Sequence, residues 1–297
     1  QCCTSTPFHN INWLSLVDEV RSDLELKFIE FIDSDEIVAY LPYFAKNKYG
    51  SLTLLSLPYS GYGGVIYKEG KLDLISSYLN KKSIWPLLTA ISSFTQQAPE
   101  NNIFRLKIQN NAWIIDTSKS YNDLFDNIDS YSKNHIRKSK KLGVEFKSIE
   151  TQEELDQCKT LYNQLIAKRK IHSPYPLTLF DHLFKLSKES MDFPFVIAKF
   201  QNEVICYHIF LKSKSQLFAW LAASSDKHKK LHPAIGLLDY GLRLATEDTN
   251  ITIYNLGGVA KNEKGLIRFK KSFGATQYLY PINVSLTYFL LHKCKIL

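Results

Sequence analysis

The sequence predicts a mixed α/β protein built from two domains that share a similar order of strands and helices. In residues 121–297, a run of apolar strands is followed by helix, strand, helix and strand, and residues 1–120 show a looser version of this order. The length of 297 residues also approaches the size at which one core divides in two. We therefore expect tandem domains at 1–120 and 121–280, with the tail at about 281–297 free to pack back on the first.

The first part contains predicted helices and strands of ordinary length. Apolar periodicity predicts a helix at 13–20 and a second helix, interrupted by Pro86, at 72–93. A loop rich in glycine and tyrosine, which includes Tyr59 and Tyr62, precedes the second helix. Apolar runs predict strands at 25–33, 36–44, 52–57, 103–108 and 113–115.

The second part begins with an amphipathic helix predicted at 121–142 and a strand at 144–149. Thr151 and Glu154 form a capping-box signature for the helix that follows. The remaining predicted elements are a meander of three strands at 195–200, 204–211 and 217–221, a helix at 233–246, a strand at 251–255, a helix at 265–273 and a strand at 278–285.

Positive charge is concentrated in the second part. Residues 1–120 hold 11 Lys and Arg against 12 Asp and Glu, whereas residues 121–297 hold 26 against 17. This asymmetry indicates an anionic partner such as nucleic acid, a nucleotide or a phosphorylated carrier. A coding sequence that favours lysine at free surface positions is the alternative interpretation.

The cysteines and the apolar C-terminal stretch bear on location. Five cysteines, at positions 2, 3, 158, 206 and 294, form no C-x-x-C motif, which predicts ordinary thiols in a reducing, cytoplasmic compartment. The uncharged stretch 272–291 contains proline and asparagine, so we interpret it as a strand followed by a buried segment. A peripheral contact with the inner face of the membrane through 288–291, beside Lys293 and Lys295, is the alternative.

Several common chemistries have no signature in the chain. The sequence contains no G-x-S-x-G nucleophile elbow, no G-x-x-x-x-G-K-[ST] phosphate loop and no G-x-G-x-x-G motif. His228 and His232 have i, i+4 spacing but lack the glutamate of a zinc hydrolase, and Pro233 follows directly. We therefore predict a loop or helix start there, and no metal site.

Two basic clusters are candidates for binding phosphate groups. The first includes Arg137, Lys138 and Lys141, and five cations within nine residues repel each other unless a polyanion neutralises them. Cations in the last turn of a helix also favour the helix dipole, which is a structural explanation. The second cluster includes Arg169, whose guanidinium can bind phosphate bidentately; a solvated helix end is the alternative.

The densest group of candidate residues lies late in the chain. The strand at 251–255 runs into Gly257 and Gly258, and glycines allow a ligand to approach the backbone closely. The short helix that follows presents Phe269 on its apolar side, with Lys270 next to it. Ligands of α/β proteins commonly bind at the carboxyl ends of strands, so this pattern predicts an apolar anchor that holds one cation at a binding site.

Four segments of the chain resemble the signature blocks of the FemABX-like proteins, which are aminoacyl and acyl transferases related to the GNAT superfamily. The resemblance spans about residues 55–280, and its segments occur in the family's order. They are LPYSGYGG at 57–64, IRKSKKLGV at 136–144, YNLGG at 254–258 and GLIRFKKSFG at 265–274, of which the last is the most specific.

The resemblance implies two GNAT-like domains with the acceptor bound in a cleft between them and the donor site in the second domain. It implies transfer of an amino acid from aminoacyl-tRNA to an amine of a cell-wall precursor, without a metal or a cofactor. Lys270, with Phe269 beside it, is then the candidate catalytic residue and stabilises the oxyanion or the leaving oxygen. The candidates for substrate or phosphate binding are Arg169, Arg137, Lys138, Lys141, Tyr59, Tyr62, Gly257 and Gly258.

Two other functions are compatible with the same fold. An N-acyltransferase that uses acyl-coenzyme A or an acyl carrier could act on an amino sugar in polysaccharide synthesis. The Gly-x-Gly loop with which GNAT proteins bind coenzyme A is missing from residues 226–236, which argues against this donor. A non-catalytic binder of nucleic acid or of a membrane surface is the second alternative.

Overall fold

A computed structural model describes residues 5–48, 51–56, 58–59, 62–79, 88–92, 94 and 106–294 of the chain. The chain divides into two compact units. Unit 1 comprises Gln1–Asn110 and Leu279–Leu297, and unit 2 comprises Asn111–Tyr278. The predicted division into a first domain at 1–120 and a donor-site domain at 121–280 stays a prediction.

Groups of helices and strands are interspersed along the chain, which confirms the mixed α/β class. The helices are α1 (Ile11–Val20), α2 (Leu72–Leu79), α3 (Tyr121–Asn127), α4 (Ser130–Lys141), α5 (Gln152–Arg169), α6 (Thr178–Glu189), α7 (Pro233–Glu247), α8 (Lys264–Ser272) and α9 (Leu286–Lys293). The strands are β1 (Glu25–Asp33), β2 (Glu36–Lys48), β3 (Ser51–Leu55), β4 (Ile66–Tyr67), β5 (Leu88–Ser92), β6 (Leu106–Asp116), β7 (Glu145–Ser148), β8 (Phe195–Phe200), β9 (Glu203–Lys212), β10 (Gln216–Ser224), β11 (Ile253–Asn255) and β12 (Thr276–Val284).

Unit 1 contains a mixed sheet in which β1, β2, β3 and β5 are neighbours in that order. β1 and β2 form the predicted antiparallel hairpin, and Ser34 and Asp35 in its turn both have positive φ. Two such residues match the twist of the flanking strands. β3 and β5 are parallel, β12 pairs antiparallel with β5, and β4 pairs with β2.

The helix predicted at 72–93 is wrong in its second half. α2 ends at Leu79, and residues 88–92 form the strand β5, in which every residue is buried. A strand buried on both faces lacks the alternation of apolar and polar residues that marks a half-exposed strand. The sequence pattern therefore does not distinguish such a strand from a buried helix. Pro86, which was expected to interrupt the helix, lies outside the described residues.

A buried histidine fixes the N-terminal segment of unit 1. Thr6 N donates to His9 Nδ1 at 3.0 Å, so the opposite ring nitrogen, Nε2, carries the hydrogen and donates to Gly64 O at 3.2 Å. Burial lowers the pKa of His9 to about 4, although the bond to the Gly64 carbonyl opposes this shift. The imidazole is therefore neutral at pH 7, and it joins residues 6–9 to the loop that contains Tyr62.

Unit 2 contains a second run of strands in the order β6, β11, β10, β9, β8 and β7. The predicted meander is confirmed, since β8, β9 and β10 are antiparallel neighbours. β10 and β11 are parallel and pair over three residues only, from Gln216 opposite Ile253 to Phe218 opposite Asn255. β10 continues to Ser224 while β11 ends at Asn255, so the two strands are unpaired beyond this point.

The helix predicted at 121–142 is two helices. α3 ends at Asn127, and Asp129 begins α4 as its N-cap, because its side chain accepts a hydrogen bond from Ser132 N at 2.6 Å. The strands predicted at 103–108 and 113–115 belong to one strand, β6, within its described part. The capping box of α5 is confirmed, since Thr151 and Glu154 exchange side-chain to backbone hydrogen bonds.

α7 packs tightly on the sheet of unit 2 because two glycines face aromatic rings. A Cβ atom on Gly241 would lie 2.7 Å from the ring of Phe210, and one on Gly236 would lie 2.1 Å from the ring of Phe146. Both distances are shorter than any real carbon contact, so the close approach of α7 requires glycine at these positions.

The C-terminal segment was expected to be buried, and this expectation is wrong. α9 has no buried residue, and Leu286 and Leu290 are exposed one turn apart. A short apolar run carries no period that distinguishes a buried segment from a surface helix. Among the described residues, no helix is both long enough and apolar enough to cross a bilayer.

Because burial holds the pKa of His9 well below its value of 6.5 in the unfolded chain, acid should destabilise unit 1. The unfolded chain binds the extra proton, so stability falls as the pH drops from about 6.5 towards 4, and the loss at pH 5 should be about 2 kcal/mol. We expect His9→Gln, which cannot titrate, to lose less stability than the wild type between pH 7 and pH 5 in urea unfolding. Equal losses in the two proteins would show that His9 does not titrate in this way.

Candidate functional site

The side chain of Lys270 is buried at the C-terminal end of α8, with 7% of its surface exposed. Its Nζ donates hydrogen bonds to three backbone carbonyls, Leu256 O at 2.5 Å, Gly257 O at 2.9 Å and Gly258 O at 3.1 Å. These carbonyls belong to the loop that directly follows β11. An ammonium group has three donor hydrogens, so the loop after β11 satisfies all of them.

The loop holds this conformation through its own hydrogen bonds. Gly257 has φ of +77°, a conformation that favours glycine, and its N–H donates to Asn255 Oδ1 at 2.8 Å. Asn111 on β6 fixes Val259, two residues further on, since its Nδ2 donates to Val259 O and its Oδ1 accepts from Val259 N, each at 3.1 Å. The protein's own hydrogen bonds therefore hold in place the carbonyls that face Lys270.

Position 258 has room only for glycine, because β6 lies directly beside it. A Cβ atom at Gly258 would lie 2.7 Å from the Asn111 carbonyl oxygen, which belongs to the backbone and cannot swing away. The sequence suggested that Gly257 and Gly258 allow a ligand to approach, and their role in ligand binding stays a prediction. In the structure, both residues bind the Lys270 ammonium through their carbonyl oxygens.

Burial lowers the pKa of Lys270 from 10.5 to about 8, and the nearby charge of Glu263 opposes the shift. Removal from water disfavours the charged form of an amine, which explains the direction. At pH 7 the group is still mostly an ammonium ion, but it releases its proton far more readily than a surface lysine. A lysine with a pKa in this range can stabilise a developing negative charge or take part in proton transfer.

Lys270 forms one wall of a cavity of about 210 Å³. The cavity lies where β10 and β11 stop pairing, and Phe269 lines it next to Lys270. Phe269 is half-buried and packs edge-on against the buried ring of Phe273, with ring centroids 5.8 Å apart. The other lining residues are Cys206, His208, Ala219, Trp220, Ala222, Ala234, Leu238, Leu256 and Leu266. The cavity is thus mainly apolar, with few polar groups, as is typical of sites for small molecules.

His208 lines this cavity from β9, and no sequence pattern had pointed to it. It is a buried polar residue within an otherwise apolar strand, Ile-Cys-Tyr-His-Ile-Phe, and this interruption was the one available signal. Periodicity within a strand buried on both faces does not show which side chains face a cavity.

The residues of the first basic cluster that were predicted to bind phosphate all lie on the surface of α4. Arg137, Lys138 and Lys141 are exposed, and the Arg137 guanidinium lies 5.6 Å from the centre of the Phe125 ring. Lys140 differs from them, because its Nζ donates to the buried carboxylate of Asp239 at 3.1 Å. The three exposed side chains are placed to meet an anion, and this role stays a prediction.

Arg169 is the last residue of α5 and is exposed. Its neighbour Lys168 instead forms an ion pair with Asp226, in which Nζ contacts both carboxylate oxygens at 2.7 and 2.8 Å. The predicted contact of Arg169 with acceptor phosphates stays a prediction.

Tyr59 and Tyr62 belong to unit 1, and the structure gives both a packing role. Tyr62 is buried and stacks on Phe94 with ring centroids 4.3 Å apart. Tyr59 has φ of +64°, is buried, and lies under the Arg21 guanidinium at 5.3 Å. Substrate binding by these two tyrosines stays a prediction.

The histidines at 228 and 232 occupy a loop and a helix start, as predicted. His228 Nδ1 lies 3.4 Å from Ser225 Oγ, whereas His232 precedes α7 and its ring lies 3.8 Å from that of His135. The two rings therefore have different partners.

Comparison with known proteins defines the class to which this site belongs. Residues 130–271 match the family model of the acetyltransferase (GNAT) domain, and this range contains the Lys270 site. The fold is similar to that of FemX, with 12% identity over 98% of this chain and 95% of FemX and a TM-score of 0.71. No curated protein matches the sequence of the chain.

Two further solved structures share the fold. One is the C-terminal domain (DUF2156) of a candidate lysylphosphatidylglycerol synthetase from Agrobacterium fabrum, with 12% identity, coverage of 96% and 91%, and a TM-score of 0.60. The other is a conserved protein of unknown function from Bacteroides thetaiotaomicron, with 10% identity, coverage of 94% and 92%, and a TM-score of 0.58. At such identities these likenesses concern the fold alone.

The family model and the FemX-like fold confirm the resemblance found in the sequence. Residues 130–271 carry the acetyltransferase (GNAT) domain, which makes the chain an acyltransferase, and its fold is similar to that of FemX. The acceptor cleft between two domains, which the resemblance implied, stays a prediction.

Gly258→Ala should disturb the loop that binds Lys270. The new methyl group would meet the Asn111 carbonyl at 2.7 Å, so we expect a loss of about 1–3 kcal/mol in the free energy of unfolding. Gly265→Ala is the matched control, because a Cβ there has no atom within 4 Å and alanine favours a helix by about 0.5–1 kcal/mol. Urea unfolding of the two variants checks this; equal stabilities would contradict the packing argument.

Proposed function

We propose that the chain transfers an aminoacyl group from aminoacyl-tRNA to an amine of a cell-wall precursor in the cytoplasm. The observation that carries the proposal is the Lys270 ammonium, bound by three carbonyls at the wall of a small apolar cavity. The chemistry of this arrangement fits attack by an amine on an ester.

Amide formation from an ester needs a neutral amine and stabilisation of the oxyanion. The amine nitrogen attacks the ester carbonyl carbon, the bond to the ribose oxygen breaks, and the leaving oxygen takes up the proton that the nitrogen releases. No covalent enzyme intermediate is needed, because the ester is already activated. The enzyme contributes orientation of the two substrates and an electrostatic field at the reacting carbonyl.

Lys270 can supply this field once a substrate oxygen replaces one of its three carbonyl partners. The contact with Gly258 O is the longest of the three, at 3.1 Å, and the least buried. We assign this contact as the one that the donor's carbonyl or leaving oxygen displaces. The bonds to Leu256 O and Gly257 O then keep the ammonium in place during the reaction.

The exposed cations of α4 support a polyanionic donor. Arg137, Lys138 and Lys141 form no ion pair within the described part of the chain and lie in unit 2 with Lys270. A tRNA presents a phosphate at every nucleotide. When surface cations of the protein contact these phosphates, the counterions condensed on the tRNA are released, and this release favours binding.

Transfer of an acyl group from acyl-coenzyme A is the alternative, and the description of the matching family as an acetyltransferase favours it. The segment between β10 and α7 argues against it. α7 begins with Pro233, which has no N–H, and Asp226 in the same segment is paired with Lys168. This helix start offers fewer free backbone donors to a pyrophosphate than a glycine loop would.

Lys270→Met should abolish most of the transfer activity. It keeps the apolar stem and removes the ammonium, so we expect kcat to fall at least about 100-fold, as for loss of an oxyanion donor. Lys271→Met is the matched control, since Lys271 is exposed one residue further on, and its activity should stay within about twofold. The assay follows transfer from aminoacyl-tRNA and from acetyl-coenzyme A to muropeptide and amino-sugar amines.

The outcomes of this assay separate the candidate functions. A folded Lys270→Met protein with the activity of the control would remove Lys270 from the mechanism. Transfer from acetyl-coenzyme A alone would establish the alternative donor. Folding is checked by circular dichroism, and Lys270→Arg provides a variant that keeps the buried charge if methionine prevents folding.

Removing two cations from α4 should weaken tRNA binding in a salt-dependent way. For Arg137→Gln with Lys138→Gln, we expect the slope of log Kd against log salt to decrease by about 1–2, since each phosphate contact contributes about 0.7–0.9. The control pair is Lys185→Gln with Lys214→Gln, which removes the same charge from exposed positions elsewhere. Binding is measured between 50 and 200 mM salt, and equal slopes for the two pairs would contradict a role for α4.

A further inference from the structure

His208 is a buried polar residue that faces the cavity beside Lys270. It lies on β9, 7% of its surface is exposed, and its ring stacks on Phe210 with centroids 4.4 Å apart. Within the described part of the chain, neither ring nitrogen has a hydrogen-bond partner. Buried polar side chains are normally hydrogen-bonded within the protein, so an imidazole without a protein partner at a cavity wall is available to whatever molecule fills the cavity.

The imidazole is neutral at pH 7 and can therefore offer a lone pair to the cavity. Burial lowers the pKa of His208 to about 3, and the positive charge of Lys270 contributes to the shift. A neutral imidazole has one nitrogen that accepts a hydrogen bond and one that donates. The cavity wall therefore includes one potential hydrogen-bond acceptor and one cation, Lys270.

The remaining cavity wall is mainly apolar. Ala219, Ala222 and Ala234 leave space that larger side chains would fill, and leucines and aromatic rings line the rest of the wall. The volume of about 210 Å³ equals the share of about seven liquid water molecules. The cavity is large enough for a short acyl or aminoacyl group.

We propose that His208 selects the transferred group, by accepting a hydrogen bond from an amino or hydroxyl substituent on the carbon next to the reacting carbonyl. The cavity then prefers a small aminoacyl group over a plain alkyl acyl group of the same size. This inference rests on the proposed function, since it places the donor's acyl end beside Lys270. Because Lys270 is cationic, the amino substituent binds as the neutral amine, which still has hydrogens to donate.

The test compares stable donor analogues that differ only at this substituent. The probes are 3′-deoxy-3′-(alanylamino)adenosine and 3′-deoxy-3′-(propionylamino)adenosine, and the same two acyl groups attached to coenzyme A as non-transferable ketones. Titration calorimetry on the full chain gives the ratio of the two dissociation constants on each carrier. One hydrogen bond should make the wild type prefer the alanyl analogue about three- to tenfold.

Three variants assign the preference to the ring nitrogen. His208→Phe keeps an aromatic ring on Phe210 and removes the acceptor, so its ratio should fall to about one. His208→Asn offers an amide oxygen and should recover part of the preference, which also guards against a folding defect in the first variant. His292→Phe, at the exposed end of α9, is the control and should keep the ratio of the wild type.

The other possible results would contradict the role of His208, the tRNA donor or the assignment of the cavity as the donor pocket. A ratio near one in the wild type, or an unchanged ratio in His208→Phe, would overturn the role of His208. A preference that depends on His208 only on coenzyme A would support the inference and reject the tRNA donor. Failure of all four probes to bind would show that the cavity is not the donor pocket, and the inference would fall with it.

Discussion

One buried ammonium group organises the loop that follows β11. Removing a charge from water is costly unless polar partners replace the solvent, and here three backbone carbonyls do so. Three successive residues can point their carbonyls at one atom only if the chain turns sharply. Gly257 supplies the turn through its positive φ, and Gly258 allows the turn to lie against β6. The lysine and the two glycines therefore form one structural unit.

The cavity beside the Lys270 ammonium lies where the parallel strands β10 and β11 separate. β10 and β11 pair over three residues, and past that point α8 inserts Phe269 and Lys270 beside β10. The register of β10 against β9 also shifts between Ala219 and Leu221, so Trp220 is turned towards the cavity wall. An apolar pocket that contains a lysine and a histidine with lowered pKa values is the combination expected of a reaction site.

The surface cations differ in what they are free to bind. Lys140 and Lys168 are neighbours of the predicted anion-binding residues, but each is paired with a carboxylate, Asp239 and Asp226 respectively. Arg137, Lys138, Lys141 and Arg169 are exposed. Composition counts all these residues equally, whereas the ion pairs formed by folding determine which charges a partner meets.

The sequence by itself determined the fold class, the meander, the capping box and the pairing of Phe269 with Lys270, because these depend on local patterns of apolarity and charge. The sequence did not predict β5 or the exposure of α9, because short apolar segments carry no clear period. It also did not predict the break between α3 and α4, which depends on the single N-cap residue Asp129. Only the tertiary structure showed that the Gly257 and Gly258 carbonyls hold Lys270 and that His208 faces the same cavity. These residues come from β9, the loop after β11 and α8, and no sequence spacing relates them. Burial brings them together, and it is burial that changes their pKa values.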